Sequence, residues 1–441
     1  MVRLVCILMI LVAAVSTGAG AQNPSLFFAN LFTRDGLPSN IISAVAQDKN
    51  DFIWIGTGNG LCRFDGYRFR TFKRQETENS LPANEISSLL VDGDYLWVGT
   101  WRGLCKINTR TFEVSRIDVG KSNVIRTLYR SKSGEIWIGT ASGLIRYKNG
   151  QQVLYTRESS GLSHNTIRSI FEDAAGDLWV GTYHQLNRLD HGTDQFTAFD
   201  LKGSYKRTLQ NNLICDIKPV QNNDSLLWVG TETGLVRFNR ITNSFQHFTS
   251  KTSGFSNEVI KNIYTAPDGR LWLGTDFGLN IFDPATGTNT ALFHNPKISY
   301  SIPNNVIWEI FEDTGGVVWL VTSNGLSRLN KHNHHFTYHE VTHQIDDQTV
   351  GNQVKSILVS RQGAIWIASL HGVLKIEPGS GKRKLFHTQS PESERILLNN
   401  VFTLEEDDLG RIWIGTAGGI NVWDERTGRM YSITAHENNG L

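Results

Sequence analysis

Three aromatic and four charged or ionisable residues stand one or two places after a Gly-Thr pair. Trp101 and Arg102 follow Gly99-Thr100, Tyr183 and His184 follow Gly181-Thr182, Glu232 follows Gly230-Thr231, and Asp276 and Phe277 follow Gly274-Thr275. Side chains of these types suit recognition rather than bond-making. An indole or phenyl ring stacks on the apolar face of a sugar, while guanidinium, imidazole and carboxylate groups bond hydroxyls or an acidic substituent. The same place in other copies holds Gly58-Asn59, Ala141-Ser142, Thr233 beside Glu232, and Ser323-Asn324. Variable side chains on a constant frame are how repeat proteins build binding surfaces. Trp101, Arg102, Tyr183, His184, Glu232, Asp276 and Phe277 are therefore the ligand-binding candidates, on one shared face.

Other chemistry finds no footing. Glu172-Asp173 and Glu312-Asp313 close matching strands, where a turn acid belongs, so neither pair is assigned to general acid or base work. The stretch Lys331-His332-Asn333-His334-His335, with His339 and His343, has no carboxylate or Cys at a ligand spacing and reads as a solvated connection. Every Gly cluster follows a strand and precedes another, which rules out a phosphate loop opening a helix, and Gly-x-Ser-x-Gly is missing. No catalytic residue, metal ligand or cofactor is assigned. Formal net charge is +1 without a Lys/Arg run, so no basic face for nucleic acid is expected.

The elements that must hold the candidates come from a repeat. Trp54, Trp97, Trp137, Trp179, Trp228, Trp272, Trp319, Trp366 and Trp413 follow one another at 40 to 49 residues, each in an apolar strand usually ending in Gly-Thr and followed by Gly-Leu. That period fits a four-stranded propeller blade. In the first copy, residues 41–47, 52–56, 61–64 and 67–72 read as strands a to d from the centre outward, with Asp65-Gly66 as the last hairpin. The composition, 39% hydrophobic with 41 Gly against 10 Pro, supplies a turn after almost every strand. The expected fold is all-β, a seven-bladed propeller followed by part of a second one.

Internal alignment also predicts roles. Asn40, Asn123, Asn165, Asn305, Asn352 and Asn399 stand fourteen residues before their Trp, with Asn84 and Asn212 nearby in two other copies; Glu258 breaks the series. A polar residue kept beside a strand entry bonds nearby backbone. The Gly two places after Trp becomes Val321 and Ala368 in two copies, so close packing between blades decides that site rather than a positive φ. The Trp ring itself is inter-blade core.

Arg3, the apolar run 4–15 and the small residues ending in Ala19-Gly20-Ala21 have the order of a secretory signal, so residues 1–21 are expected to be a cleaved signal peptide. Residues 22–334 are the expected first propeller and 335–441 two blades of an incomplete second one. Residues 27–33 read as a d strand that should complete the sheet of Trp319 and remove an exposed edge. Once Cys6 goes with the signal, Cys62, Cys105 and Cys215 remain, too few for a disulfide framework.

The motif Asp35-Gly36-Leu37-Pro38-Ser39-Asn40, then an apolar strand, Trp54-Ile55-Gly56-Thr57, Gly60-Leu61 and Arg63-Phe64, resembles the two-component-regulator propeller repeat. That repeat is found in periplasmic sensor regions of hybrid histidine kinases and related one-component regulators. The resemblance covers nine copies from Leu26 onward, and the Gly-His mark of WD40 blades is absent. It implies a periplasmic or secreted ligand sensor for a small molecule or oligosaccharide, with self-association as in dimeric sensors. Members of this kind usually carry two seven-bladed propellers, a β-sandwich, a transmembrane helix and a kinase. Here there are nine repeats and no later apolar run long enough to span a membrane, so the chain reads as a truncated sensor without kinase activity. The competing expectations are a secreted propeller enzyme, such as a polysaccharide or lactone lyase, and a protein-binding propeller scaffold.

Overall fold

The computed structural model describes residues 26–120, 123–201, 213–330, 343–345, 348–350 and 353–434. The signal-peptide assignment and the histidines of 332–339 fall outside them. The chain divides into two compact units, Met1–His334 and His335–Leu441. No helix among the described residues is long and apolar enough to cross a membrane.

In the first unit the described residues form seven four-stranded antiparallel sheets. Blade one is Ile42–Gln47, Ile53–Thr57, Gly60–Phe64 and Phe69–Phe72, and blades two to six repeat that up-and-down order. The fourth strand starts at Phe69 rather than residue 67. Asp65 accepts hydrogen bonds from the Tyr67 and Arg68 backbone N–H groups, which turns Asp65-Gly66 into a wider loop than a two-residue hairpin. Each a strand lies beside the next blade's a strand, and that of blade seven (Ile307–Glu312) lies beside that of blade one, so the ring closes.

Closure uses the chain's own beginning. Ala29–Leu31 pairs antiparallel with Leu326–Asn330, the third strand of the Trp319 blade, in the register Ala29↔Arg328 and Leu31↔Leu326. The seam is packed as well as hydrogen-bonded. Trp319 and Val321 bury against Ile53, Ile55 and Phe64 of blade one, with the Phe64 ring edge-on to Trp319 at 6.3 Å. The pairing covers the edge of Leu326–Asn330 and gives this blade its fourth, outermost strand.

The tryptophans are the core between blades. Trp54 is fully buried against Leu96, Val98, Cys105 and Ile107 of blade two. The Gly after it accounts for how closely the blades approach. A Cβ on Gly56, Gly99, Gly139 or Gly181 would meet the Cγ2 of Ile86, Ile125, Ile167 or Ile214, the first residue of the next blade's a strand, at 2.6 to 2.8 Å. In blade seven Val321 takes this place and is fully buried in the cluster it shares with Ile42, Val45 and Ile55 of blade one. Cys62 and Cys105 fill one buried slot in successive blades as free thiols, and burial pushes both up to about 12, which makes them inert packing groups.

Polar positions hold the turns. The recurring Asn closes each d-to-a connection: Oδ1 of Asn40, Asn84, Asn165 and Asn305 accepts from the backbone N–H of Thr33, Arg74, Arg157 and His294 at 2.6 to 2.8 Å. Glu258, the exception in sequence, does the same with its carboxylate, accepting from the Ser250 N–H at 3.3 Å and from the Ser250 hydroxyl. Turn acids hold the tryptophans. Asp48, Asp173, Asp313 and Asp407 take the indole N–H of Trp54, Trp179, Trp319 and Trp413 at 2.7 to 2.9 Å, which explains Asp173 and Asp313 without any catalytic role.

The described part of the second unit comprises two four-stranded sheets, Val354–Val359 to Arg383–Phe386 and Val401–Glu406 to Arg429–Ile433, and the short hairpin His343–Ile345 with Gln348–Val350. The two sheets pack through Trp366, Phe386, Val401, Ile412, Ile414 and Trp423. Ile357 and Val359 stay 63% exposed on the a strand of the first sheet.

Candidate functional site: the channel mouth

Hydrogen bonds put the b-to-c hairpins and the d-to-a connections of the ring on one face. The N–H groups of Gly58, Trp101, Ala141, Tyr183 and Ser323 donate to the carbonyls of Ile41, Glu85, Val124, Thr166 and Val306, each just ahead of an a strand. The hairpin frame explains its own constancy. The Thr hydroxyl of Thr57, Thr100, Thr140, Thr231 and Thr275 donates to the carbonyl of the Gly three residues on and accepts from the N–H two residues on. Backbone and hydroxyl satisfy each other, and the two intervening side chains are free to vary.

One feature of the mouth recurs in every blade. The first residue of each a strand, Ile42, Ile86, Ile125, Ile167, Ile214, Ile260 and Ile307, pairs with the Thr of strand b, and the register then slips by one residue. The extra residues are Ser43, Ser87, Arg126, Arg168, Cys215, Lys261 and Trp308. A bulge re-aims the side chain it carries. These seven form the rim of the channel at the candidate face. The Cys215 thiol shows how they converge: burial pushes it up to about 11, while the charges of Arg168 on one flanking blade and Lys261 on the other pull it back.

The candidates distribute around this rim in two groups. Trp101 is 53% exposed, with the guanidinium of Arg126 from the next blade 5.2 Å from its ring centre. Asp276 takes Lys261 at 2.9 Å, and the same ammonium lies 3.9 Å from the Trp308 ring centre, whose indole N–H reaches Ser323 Oγ at 2.8 Å. Glu232 accepts from the Leu213 N–H at 3.3 Å, close under the rim. Tyr183 stacks on His164 at 5.7 Å, with His184 at 6.5 Å from the same ring. Phe277 is 52% exposed but leans on Phe293, from the connection after its own d strand, at 5.4 Å. Arg102 is exposed. The structure thus joins Trp101, Glu232 and Asp276 to the rim, gathers Tyr183 and His184 around a third ring, and sets Phe277 on the outer connection.

His164 carries no hairpin mark in sequence, since it belongs to the connection, one place before the recurring Asn165. That place is a turn acceptor: Ser39, Asn257 and Asn304 each accept the N–H two residues on, and His164 Nδ1 accepts from Thr166 at 2.9 Å. Accepting at Nδ1 leaves the ring proton on Nε2. Burial, with His184 and Arg157 nearby, holds His164 below the ordinary imidazole range.

Below the rim lies a second layer of a-strand residues, opposite the Gly after Trp or, in blade seven, Val321: Ala44, Ser88, Thr127, Ser169, Asp216, Asn262 and Glu309. Three of them reach across to the next blade. Asp216 Oδ2 accepts from Asn262 Nδ2 and the Ile263 N–H, both at 2.9 Å; Asn262 Oδ1 accepts from the Ile310 N–H at 2.9 Å; Glu309 Oε2 accepts from the Val45 N–H at 3.2 Å. Burial raises Asp216, partly offset by Lys218 at 3.7 Å, and pushes Glu309 up to about 7. Ser88 and Ser169 keep buried hydroxyls without a partner. Among the described residues no group of three or more His, Cys, Asp or Glu side chains is placed to hold a metal ion.

Comparison with known proteins agrees with this architecture. Residues 36–59, 80–102, 120–142, 161–184, 254–277 and 396–418 match the family model described as two component regulator propeller. Each matched segment runs from the d-to-a connection to the b-to-c hairpin. The unmatched copies include the two in which Val321 and Ala368 replace the inter-blade Gly. The extracellular domain of BT4673 from B. thetaiotaomicron, a one component system by its description, is 25% identical, with a TM-score of 0.62 over 92% of this chain and 53% of that one. The extracellular domain of the hybrid two component system BT3049 from the same organism is 24% identical, with a TM-score of 0.64 over 93% of this chain and 55% of that one. Virginiamycin B lyase from Staphylococcus aureus shares the fold alone, at 13% identity and a TM-score of 0.52 over 69% of this chain and 99% of that one. Histidine kinase P4 of Formosa agariphila is 32% identical over 60 residues, 14% of this chain and 4% of that protein. The chain spans about half the length of the two extracellular domains. From the matched segments and the blades they build, the chain carries two-component regulator propeller repeats.

Proposed function

We propose that this chain is the ligand-sensing propeller region of a two-component signalling protein, working outside the cytoplasm in the periplasm or as a secreted part, and that its ligand is a carbohydrate. The carrying observation is the rim: exposed Trp101 beside Arg126, with Tyr183 and His164 stacked nearby, on hairpins whose backbone is satisfied from within. Rings on a rigid frame offer contact area at little entropic cost, and sugars present the apolar faces and hydroxyls that such a rim matches. The extracellular domains named above support the sensor reading, and self-association of paired chains would carry the signal onward. The chain itself is read as binding without turnover. His164, Tyr183 and His184 all come from one blade, whereas a lyase site would draw a base, an acid and an electrophile from several.

The test is calorimetric titration of the purified chain against a panel of oligosaccharides, with chromatography of the sugar afterwards. The expected result is saturable binding, weakened about tenfold or more by Trp101→Ala or Tyr183→Ala at unchanged melting temperature, and sugar recovered intact. Binding indifferent to both substitutions overturns the site, and a cleaved sugar overturns the non-enzymatic reading.

A further inference from the structure

The bulged rim positions carry a chemistry that the hairpin candidates alone do not. Going round the ring they read Ser, Ser, Arg, Arg, Cys, Lys, Trp, so the cations sit on blades three, four and six and no acid occupies any of the seven. Lys261 is neutralised by Asp276. Arg126 and Arg168 differ from it: among the described residues neither has an ion pair, and the Nε of each is buried without a hydrogen-bond acceptor. The connection 202–212, which leads into blade five, contains Lys202, Lys206 and Arg207 and no carboxylate, so that stretch brings no acid to them. Two adjacent blades thus present guanidinium groups at the same register position, each with a desolvated donor and no partner.

Such an arrangement is costly unless something fills it. A buried donor left unbonded loses the hydration it had in the unfolded chain, and like charges on neighbouring strands repel. Arg63 also has a buried Nε without an acceptor, but its guanidinium is sandwiched against Phe52 and Phe112, 4.0 and 4.9 Å from their ring centres, and is thereby explained as packing. Arg126 has one aromatic contact, to exposed Trp101, and no such contact is seen for Arg168 among the described residues. A planar guanidinium fork matches the two oxygens of a carboxylate or sulfate, and such charge-assisted pairs are the strong ones.

We infer that Arg126 and Arg168 form an anion subsite on the channel rim, taking the carboxylate or sulfate of an acidic sugar whose ring lies on Trp101. The subsite rests on the reading of the rim as a carbohydrate site and narrows it to anionic glycans. Trp101 supplies the stacking surface, Arg126 and Arg168 bind the oxyanion in fork geometry, and Lys261, already paired, adds little.

The experiment titrates the intact chain with three probes: an oligogalacturonate, a sulfated oligosaccharide and a neutral xylo-oligosaccharide. It compares wild type, Arg126→Gln, Arg168→Gln, Arg126→Lys, and the control Arg270→Gln, whose side chain pairs with Asp268 on the a-to-b turn at the opposite face. The expected result is that at least one anionic probe binds and the neutral one binds at least tenfold more weakly. Each Gln variant should then lose about tenfold or more of the anionic affinity, Arg126→Lys an intermediate amount, and Arg270→Gln nothing. Whichever acid binds tells carboxylate from sulfate. Equal affinity for the neutral probe, unmoved by the Arg variants, overturns the anion subsite while leaving the carbohydrate reading standing. Absence of binding by all three probes overturns the subsite and counts against the carbohydrate reading as well. Melting temperatures of the five proteins separate a lost contact from a lost fold.

Discussion

Blades five to seven and blades one to four build the same wall from the same strands yet treat its inner surface differently. In the first group Asp216, Asn262 and Glu309 pass a side-chain hydrogen bond to the backbone of the following blade, the last of them crossing the seam between blade seven and blade one. In the second group the equivalent places hold Ala44, Ser88, Thr127 and Ser169, too short to bridge, with the Ser88 and Ser169 hydroxyls left unbonded. The free guanidinium groups of Arg126 and Arg168 lie one residue earlier on blades three and four. One half of the channel therefore uses its polar positions to lock neighbouring blades, and the other keeps them small under two cations and an exposed indole. The difference teaches that the side-chain bonds locking the inner wall are gathered on one arc, while the rim cations without an ion pair among the described residues lie on the other.

The largest effect should be the one both arcs share. Trp54 and Trp272 are each buried between blades, so Trp54→Ala and Trp272→Ala should each cost about 3–5 kcal/mol in chemical denaturation. Trp54 should stand at the upper end, because its N–H bonds Asp48 whereas the Trp272 N–H has no partner among the described residues. If Trp272→Ala cost far less, the arcs would differ in their outer core too, and the contrast drawn from the channel would be too narrow.

The inner layer comes next. Asn262→Ala removes an acceptor from the Ile310 N–H and a donor from Asp216, leaving both buried, and should cost about 2–3 kcal/mol. Thr127→Ala, at the same register on the other arc, should cost about 1 kcal/mol or less. Equal losses would erase the distinction between the arcs.

Glu309 adds a pH dependence to the locked arc. Its folded carboxyl titrates near 7 against an ordinary value of 4.5, so the folded state holds the proton more tightly than the unfolded one. Its contribution to stability is whole below pH 4.5, declines as pH rises from 4.5 to 7, and is gone above, a swing on the order of 3 kcal/mol at most. Glu309→Gln keeps an acceptor for the Val45 N–H without the titration. The difference in unfolding free energy between variant and wild type should grow in the variant's favour across that window and level off above pH 7. A constant difference from pH 4 to 8 would show that Glu309 ionises in the fold as it does in water.

Much of this was legible in the sequence for a physical reason: a ring of blades asks the same thing of each copy, so whatever packing demands is written several times over. The Trp core, the inter-blade Gly and the turn Asn could be read by aligning the chain to itself. What the alignment discards is what varies, and the side chains of the rim vary. The bulged residue after the first Ile looks like one more position in an apolar run, since a register slip leaves no mark in hydrophobic pattern, and so Arg126, Arg168 and Lys261 went unseen beside the hairpins. Asp216, Asn262 and Glu309 share a register but not a residue type. The Asp to indole bonds span six residues in only some copies. The Gly-Thr frame marks Trp101, Glu232, Asp276 and Phe277 alike, yet of these Phe277 packs on Phe293.

The smallest expected effect tests whether a break in the repeat is a break in function. Glu258 is the one acid among the residues that close the d-to-a connections, on blade six of the locked arc, and its carboxylate makes the same backbone contact as the amides elsewhere. If that contact is its whole role, Glu258→Asn restores the repeat's own solution and should leave stability within about 0.5 kcal/mol of wild type, while Glu258→Ala should cost about 1 kcal/mol by orphaning the Ser250 N–H. The acid also lies within electrostatic reach of His247, whose imidazole burial holds below its usual range and which Glu258 pulls back up. Replacing the charge by an amide should therefore lower the His247 titration further, a shift readable by NMR with no change in melting temperature. A large loss of stability in Glu258→Asn would mean that the carboxylate supports the locked arc through its charge, and that the blade-six exception belongs with Asp216 and Glu309 rather than with the turn asparagines.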